Sequence, residues 1–385
     1  MTELKVDNIT NLAGSGKPNL PVAPTVGSNA AISTLNTHSY TSSGTEPSSP
    51  KNGALWWDST NDKVMVYIDS EFKEIELNAS AAAAFTWGGD RGVFASGYAS
   101  GTYRNTIDYI NITSAGNATD FGDTAETRNG ARATGSSTRF VTGTGYTGSG
   151  YSQNLDYITT ATTGNASDFG DHTHTGISGL NHGIVSSGTR GLFAGGYSSS
   201  LSARVNIIMY ITIANTGNTT DFGDLTVSLN NTAGAGDGSR GLFGGGQNAS
   251  FALEATISYV TIDTTGNATD FGDLTLARKE GSAAADTTRS LFLGGSTSTA
   301  AQGTVIDYVT TQTAGNATDF GDLLSYRFDG AASSNGTKAV MTGYYAGATS
   351  NVIEQVTIQT AGNATDFGDL TLGRTGHAGG SGTAS

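Results

Sequence analysis

Three of the chain's five histidines, His172, His174 and His182, fall within eleven residues of one another. Side-chain alternation along a strand sets His172 and His174 on one face, an arrangement able to hold a transition metal. No fourth ligand accompanies them, and a polar strand or a contact to a neighbouring subunit accounts for the same residues, so the expectation is no metal and no cofactor. Carboxylates recur at fixed spacing as Asp120/Asp123, Asp168/Asp171, Asp221/Asp224, Asp270/Asp273, Asp319/Asp322 and Asp366/Asp369, six Asp-x-x-Asp pairs whose hard oxygens suit calcium. The third group is aromatic. Tyr98, Tyr103, Tyr146, Tyr151, Tyr197, Phe251, Tyr344 and Tyr345 sit in six variable stretches among hydroxyl and amide side chains. An aromatic ring stacks on the apolar face of a pyranose while polar neighbours take its hydroxyls, and the same rings also serve to cover strand ends.

The elements that position these residues follow from a repeat. Near-copies of Gly-Asn-Ala-Thr-Asp-Phe-Gly-Asp begin at Gly116, Gly164, Gly217, Gly266, Gly315 and Gly362, at intervals of 48, 53, 49, 49 and 47 residues. A period near fifty marks radial β-repeats or a solenoid, because one such unit cannot bury its apolar face alone. Apolar residues alternate in Ile257, Tyr259, Ile262 and in Ile306, Tyr308, as in strands with one packed face. Small-residue stretches such as Gly281–Ala285, Gly330–Ser333 and Thr232–Gly236 fit an innermost strand, where all blades crowd the axis. The six Asp pairs then read as structural: Asn and Asp bond turn amides, Gly supplies positive φ, and Phe121, Phe169, Phe222, Phe271, Phe320 and Phe367 plug between blades.

Several motifs lose their chemistry in this register. Asp-Phe-Gly matches the metal-binding triplet of protein kinases, but no nucleotide loop, paired lysine or catalytic loop accompanies it. Asn-Ala-Thr is a glycosylation acceptor, yet the opening Met1-Thr-Glu-Leu-Lys carries neither the basic nor the apolar region of a secretory leader. Gly143-Thr-Gly-Tyr-Thr-Gly148 fits the dinucleotide fingerprint without a helix to follow it. A net charge of -14 without a Lys/Arg cluster argues against nucleic acid, and no apolar run reaches the roughly 20 residues of a membrane span. Glycine at 55 of 385 residues, scarce proline and the absence of cysteine fit short strands and tight turns assembled in a reducing cytoplasm.

The paired glycines Gly195-Gly196, Gly245-Gly246 and Gly294-Gly295 after short apolar strands, and Arg374-Thr-Gly-His-Ala378, resemble kelch-type β-propellers, with Thr-Asp-Phe-Gly-Asp in place of that family's tryptophan-bearing stretch. The expectation is an all-β, six-bladed kelch-like β-propeller over 84–385. Its last stretch, Gly376–Ser385, is an inner strand that completes the blade begun at Asp90–Tyr98; Ala83–Trp87 is the rival, with Trp87 bulky for the axis.

Residues 1–80 read as a separate module, with a polar linker over about 20–50 and a three-stranded meander over 53–77. Leu4-Lys-Val-Asp-Asn-Ile, Gly14-Ser-Gly-Lys-Pro-Asn19 and Pro50-Lys-Asn-Gly-Ala-Leu-Trp-Trp-Asp58 resemble N-terminal segments of tailed-bacteriophage fibre and other virion structural proteins. That resemblance implies a virion component, assembled in the host cytoplasm, anchored to other virion proteins through this module, commonly as a homotrimer, and displaying its propeller outward. The function expected is non-catalytic adhesion to a host-surface polysaccharide. A virion decoration or fibre connector without receptor binding is the alternative, and a glycan-active enzyme, which would need two facing carboxylates across a pocket, comes third.

Overall fold

The computed structural model describes residues 25–26, 30–31, 40–43, 45–50, 54–58, 63–68, 70–74, 88–173, 177–178, 183–297, 303–345 and 349–383. The chain divides into two compact units, Met1–Ala84 and Phe85–Ser385.

In the first unit, Leu55–Asp58, Lys63–Ile68 and Glu71–Glu74 form an antiparallel meander, and Tyr40–Ser43 pairs in parallel with the first of these strands. The sheet therefore takes a fourth strand from a stretch whose Ser/Thr-rich composition reads as linker. Trp56 is 6% exposed, with Phe72 edge-on at 5.2 Å, so one aromatic cluster anchors this small sheet.

The second unit is a six-bladed β-propeller of antiparallel sheets, four-stranded except in the fourth blade, where Leu229–Asn230 adds a fifth short strand. From axis to rim, the second blade runs Arg132–Gly135, Arg139–Gly143, Asn154–Thr159 and Ser167–Asp171. The fifth repeats this order with Ser282–Ala285, Arg289–Leu293, Val305–Thr310 and Thr318–Asp322. The first blade is composite. Ala378–Gly382 forms its inner strand and pairs with Arg91–Ala99, Ala378 opposite Ala95, so the C-terminal strand closes the ring and removes two open edges. Ala83–Trp87 lies outside the described residues.

The repeated phrase is a clasp between blades. Its asparagine side chain accepts the amide of the final aspartate in the preceding copy: Asn165 from Asp123 at 3.0 Å, Asn267 from Asp224 at 3.1 Å and, across the closure, Asn117 from Asp369 at 3.1 Å. The phrase's first glycine donates to the neighbouring copy's phenylalanine carbonyl, as Gly164 does to Phe121 at 2.8 Å. Gly122, at φ 145°, is required here, because a Cβ would fall on the Gly164 carbonyl. The six phenylalanines are at most 3% exposed and pack in cores that draw on two adjacent blades, such as Val93, Phe121, Phe140 and Ile158 together. Burial of each is worth roughly 1.5–3 kcal/mol.

Charges join the blades twice more. The arginine that opens a second strand stacks on its own blade's tyrosine and donates to the next blade's backbone: Arg139 lies 4.3 Å from the Tyr157 ring and 2.9 Å from the Ile213 carbonyl. Lys338 holds that place in the sixth blade and donates to the Thr113 carbonyl at 3.3 Å. Deeper, Arg374–Asp108, Arg128–Asp156, Arg278–Asp307 and Arg327–Glu354 form ion pairs with side chains no more than 5% exposed.

Candidate functional site

Two kinds of connection meet on one face of the disc: the turns between second and third strands, and the approaches from each outer strand to the next inner strand. Paired backbone bonds hold them together. Tyr98 and Thr375 exchange bonds at 2.8 and 3.1 Å, and Tyr146 and Asn129 at 2.8 and 2.9 Å.

Four of the tyrosines singled out in the sequence come together here. Tyr98, Tyr103, Tyr146 and Tyr151 form a continuous edge-to-face row across the first two blades, with centroid separations of 5.2, 5.8 and 5.0 Å. Tyr103 is seated against the backbone of Gly148, and the Tyr146 hydroxyl donates to the Gly148 carbonyl at 3.2 Å. The outermost ring, Tyr151, is 39% exposed.

The remaining aromatic residues are separate. Tyr197 is half-buried in a small sheet formed by Ile177–Ser178, Tyr197–Ser198 and Ala203–Arg204. Phe251 is 71% exposed at φ 64°, with the Arg204 guanidinium 4.3 Å above its ring. The backbones of Tyr344 and Tyr345 pair with Phe328 and Arg327. Of the three candidate histidines, only His172 belongs to the described residues; His174 and His182 lie outside them. The strand before it ends at Asp171, paired with Asn154, and the His172 amide still donates to the Gln153 carbonyl at 2.8 Å. His172 is fully buried, edge-on to Phe193 at 6.0 Å. Among the described residues no group of three or more His, Asp or Glu side chains is placed to hold a metal ion.

Around the axial mouth of this face runs a feature that sequence reasoning missed. Glu280 donates its amide to the Asn231 carbonyl, Asp329 to Glu280, Gly376 to Asp329 and Gly130 to Gly376, at 2.7–2.9 Å, passing from blade to blade. All five residues hold a left-handed backbone, with φ between 49° and 73°. Side chains at three of them carry polar groups. The Asn231 amide lies 3.3 Å from Glu280 Oε1, Lys279 Nζ 3.2 Å from the same oxygen, and Arg132 Nη2 3.7 Å from Asp329 Oδ1. Thr375 Oγ1 donates to Asp329 Oδ2 at 3.0 Å.

Burial pushes the Asp329 carboxyl up to about 6, against the opposing pull of Arg132, while neighbouring Glu280 adds to the rise. Burial also holds His377 well below the ordinary histidine value, helped by Arg374 and Arg132, so its imidazole is neutral. The signal for this ring was present in the sequence as Gly130, Asn231, Glu280, Asp329 and Gly376, equivalent positions that disagree in a chain whose repeats otherwise agree.

Compared with protein-family models and with curated proteins, the sequence matches none.

Proposed function

We propose that this chain is a non-catalytic virion component, a fibre or appendage protein whose propeller attaches to a host-surface polysaccharide. The observation that carries the binding half of this reading is the Tyr98–Tyr103–Tyr146–Tyr151 row, because linked aromatic rings beside backbone and hydroxyl partners suit stacking along successive sugars. The rings stand on turns of a rigid scaffold, where function ordinarily concentrates. The anchoring half rests on the likeness of Leu4–Asn19 and Pro50–Asp58 to phage fibre segments.

The test is binding of the purified chain to bacterial cells and to isolated envelope polysaccharides, beside a variant with Tyr98, Tyr103, Tyr146 and Tyr151 changed to alanine. Saturable binding that the variant loses, with its melting transition retained, is the expected result. If the wild type binds no polysaccharide, the adhesion reading falls and a purely structural virion role replaces it.

A further inference from the structure

The axial ring departs from its own repeat in a direction that backbone geometry does not ask for. Glycine meets the left-handed conformation without strain, and Gly130 and Gly376 supply it. The consecutive blades that carry Asn231, Glu280 and Asp329 accept strained backbones instead, and such strain concentrates at functional positions.

An independent observation lies directly beneath. A cavity of about 80 Å³ is lined by Arg132, Thr232, Ser282 and His377 together with inner-strand glycines and alanines. Three of these lining residues carry buried polar atoms without a hydrogen-bond partner: Thr232 Oγ1, Ser282 Oγ and both ring nitrogens of His377. Their residues are at most 6% exposed. Buried hydroxyls and imidazoles are ordinarily satisfied, so four such atoms on residues that line one cavity point to a polar occupant toward which these side chains turn.

We propose that the mouth binds the terminal ring of a neutral glycan, with Glu280 and Asp329 accepting hydrogen bonds from its hydroxyls and Thr232, Ser282 and His377 receiving a hydroxymethyl or hydroxyl arm that descends into the cavity. This rests on the glycan reading above and names its terminal subsite. Carboxylates make strong charge-assisted bonds to sugar hydroxyls. Both would repel a uronic or sialic acid, as would a chain of net charge -14. A free metal cation is disfavoured by Arg132 and Lys279, which already stand against the same two carboxylates. The cavity has room for one arm of a sugar ring, with the ring above it at the open mouth. The tyrosine row begins at once beside it: Tyr98 is backbone-paired to Thr375, whose hydroxyl bonds Asp329, so the units that follow the terminal ring run out over aromatic surface.

The test uses the full chain with Glu280→Gly and Asp329→Gly together, substitutions that install the residue other blades use at this position and so keep the backbone content. The probes are methyl glycosides of glucose, galactose, mannose and N-acetylglucosamine, followed by saturation-transfer NMR, with sodium glucuronate and inorganic phosphate as anionic controls. One or more neutral glycosides bind the wild type, and the double variant binds them about tenfold more weakly, the loss expected for hydrogen bonds to charged groups. Its affinity for the polysaccharide falls in parallel. If the double variant keeps wild-type affinity for glycoside and polysaccharide while the tyrosine variant loses the latter, the mouth proposal is overturned and the tyrosine reading stands. Binding of glucuronate or phosphate alone overturns it in favour of an anion site at Arg132. Absence of any glycoside or polysaccharide binding by the wild type removes both readings together.

Discussion

Arg278 reaches across a blade boundary to Asp307, Nη2 to Oδ2 at 2.9 Å, with both side chains no more than 3% exposed. The neighbouring boundary has Leu229 and Ser258 at the two equivalent positions, where Thr226 and Ser258 share a hydroxyl bond at 2.6 Å. The fold therefore tolerates either a complete ion pair or none. Burial alone pulls Arg278 toward its neutral form, and Asp307 opposes that. Asp307→Ala leaves an uncompensated guanidinium and is expected to lower stability by about 3–5 kcal/mol. Arg278→Leu with Asp307→Ser, which copies the neighbouring boundary, recovers most of that loss. Urea unfolding of the wild type, Arg278→Leu, Asp307→Ser and the double variant measures the coupling, and additive losses would refute it.

The clasp offers a second expectation. Asn316 accepts the Asp273 amide at 3.1 Å, and Gly272 packs so closely on Gly315 that a Cβ has no place. Asn316→Ala removes one bond near the surface and is expected to lower stability by about 1 kcal/mol. Gly272→Ala forces the blades apart and strains a backbone at φ 145°, so its effect is larger, about 3 kcal/mol or more. Thermal melts of the two variants rank them, and equal losses would contradict the steric account.

How much of this was legible in the sequence depends on the range of the interaction. The repeat period, the small inner-strand residues and the closing strand at Ala378–Gly382 were readable because they are local patterns replicated six times. The partners of the repeated phrase were not, since Asn165 bonds Asp123 some forty residues away in an adjacent blade rather than within its own turn. The same holds for Arg139, whose guanidinium serves a ring in its own blade and a carbonyl in the next. Tyr98, Tyr103, Tyr146 and Tyr151 stood out by composition, and only the blade geometry joins them. The edge-on contact of His172 with Phe193 of the next blade is likewise beyond any local pattern. A repeat displays most plainly what its copies share, whereas Glu280 and Asp329 at the mouth are informative where the copies differ.

Asp329 makes stability depend on pH in an unusual sense for a carboxyl. Its native value is raised to about 6, above the value of an unfolded aspartate, so the native state binds the proton more tightly. Stability attributable to this group is full below about pH 4 and is lost as pH rises through about 6. The charged and titratable neighbours facing it are Arg132 and Glu280, and Arg132 limits the loss once Asp329 ionises. Asp329→Asn removes the titration and keeps the shape. The variant is expected to match the wild type near pH 4 and to exceed it by about 3 kcal/mol at pH 7.5. His377 works in the opposite direction in both proteins and cancels from the difference. Melting curves of the pair from pH 4 to 8 decide it, and a gap that shrinks with rising pH would show that the carboxyl is not held in its neutral form.

Ring closure makes the final expectation. Arg91–Ala99 is paired on one side by Thr102–Asn111 and on the other by Ala378–Gly382, with Thr375 bridging to Tyr98 at the end of that inner edge. Deleting residues 377–385 exposes a row of free amides and carbonyls along a strand that is almost wholly apolar on its buried face, the condition under which sheets recruit other chains. It also uncovers the last blade, whose inner strand lies beside the closing one, with Ser333 Oγ donating to the Gly380 carbonyl at 2.7 Å. The truncated protein is therefore expected to lose more stability than one four-stranded sheet edge would suggest, and to associate. Size-exclusion chromatography with light scattering, at matched concentration, reads the association. Adding the peptide Gly376–Ser385 in excess should restore the wild-type elution of the truncated chain by refilling the same edge. A truncated protein that stays at the wild-type size and melts at the wild-type temperature would mean that the other five blades hold the ring closed without this strand.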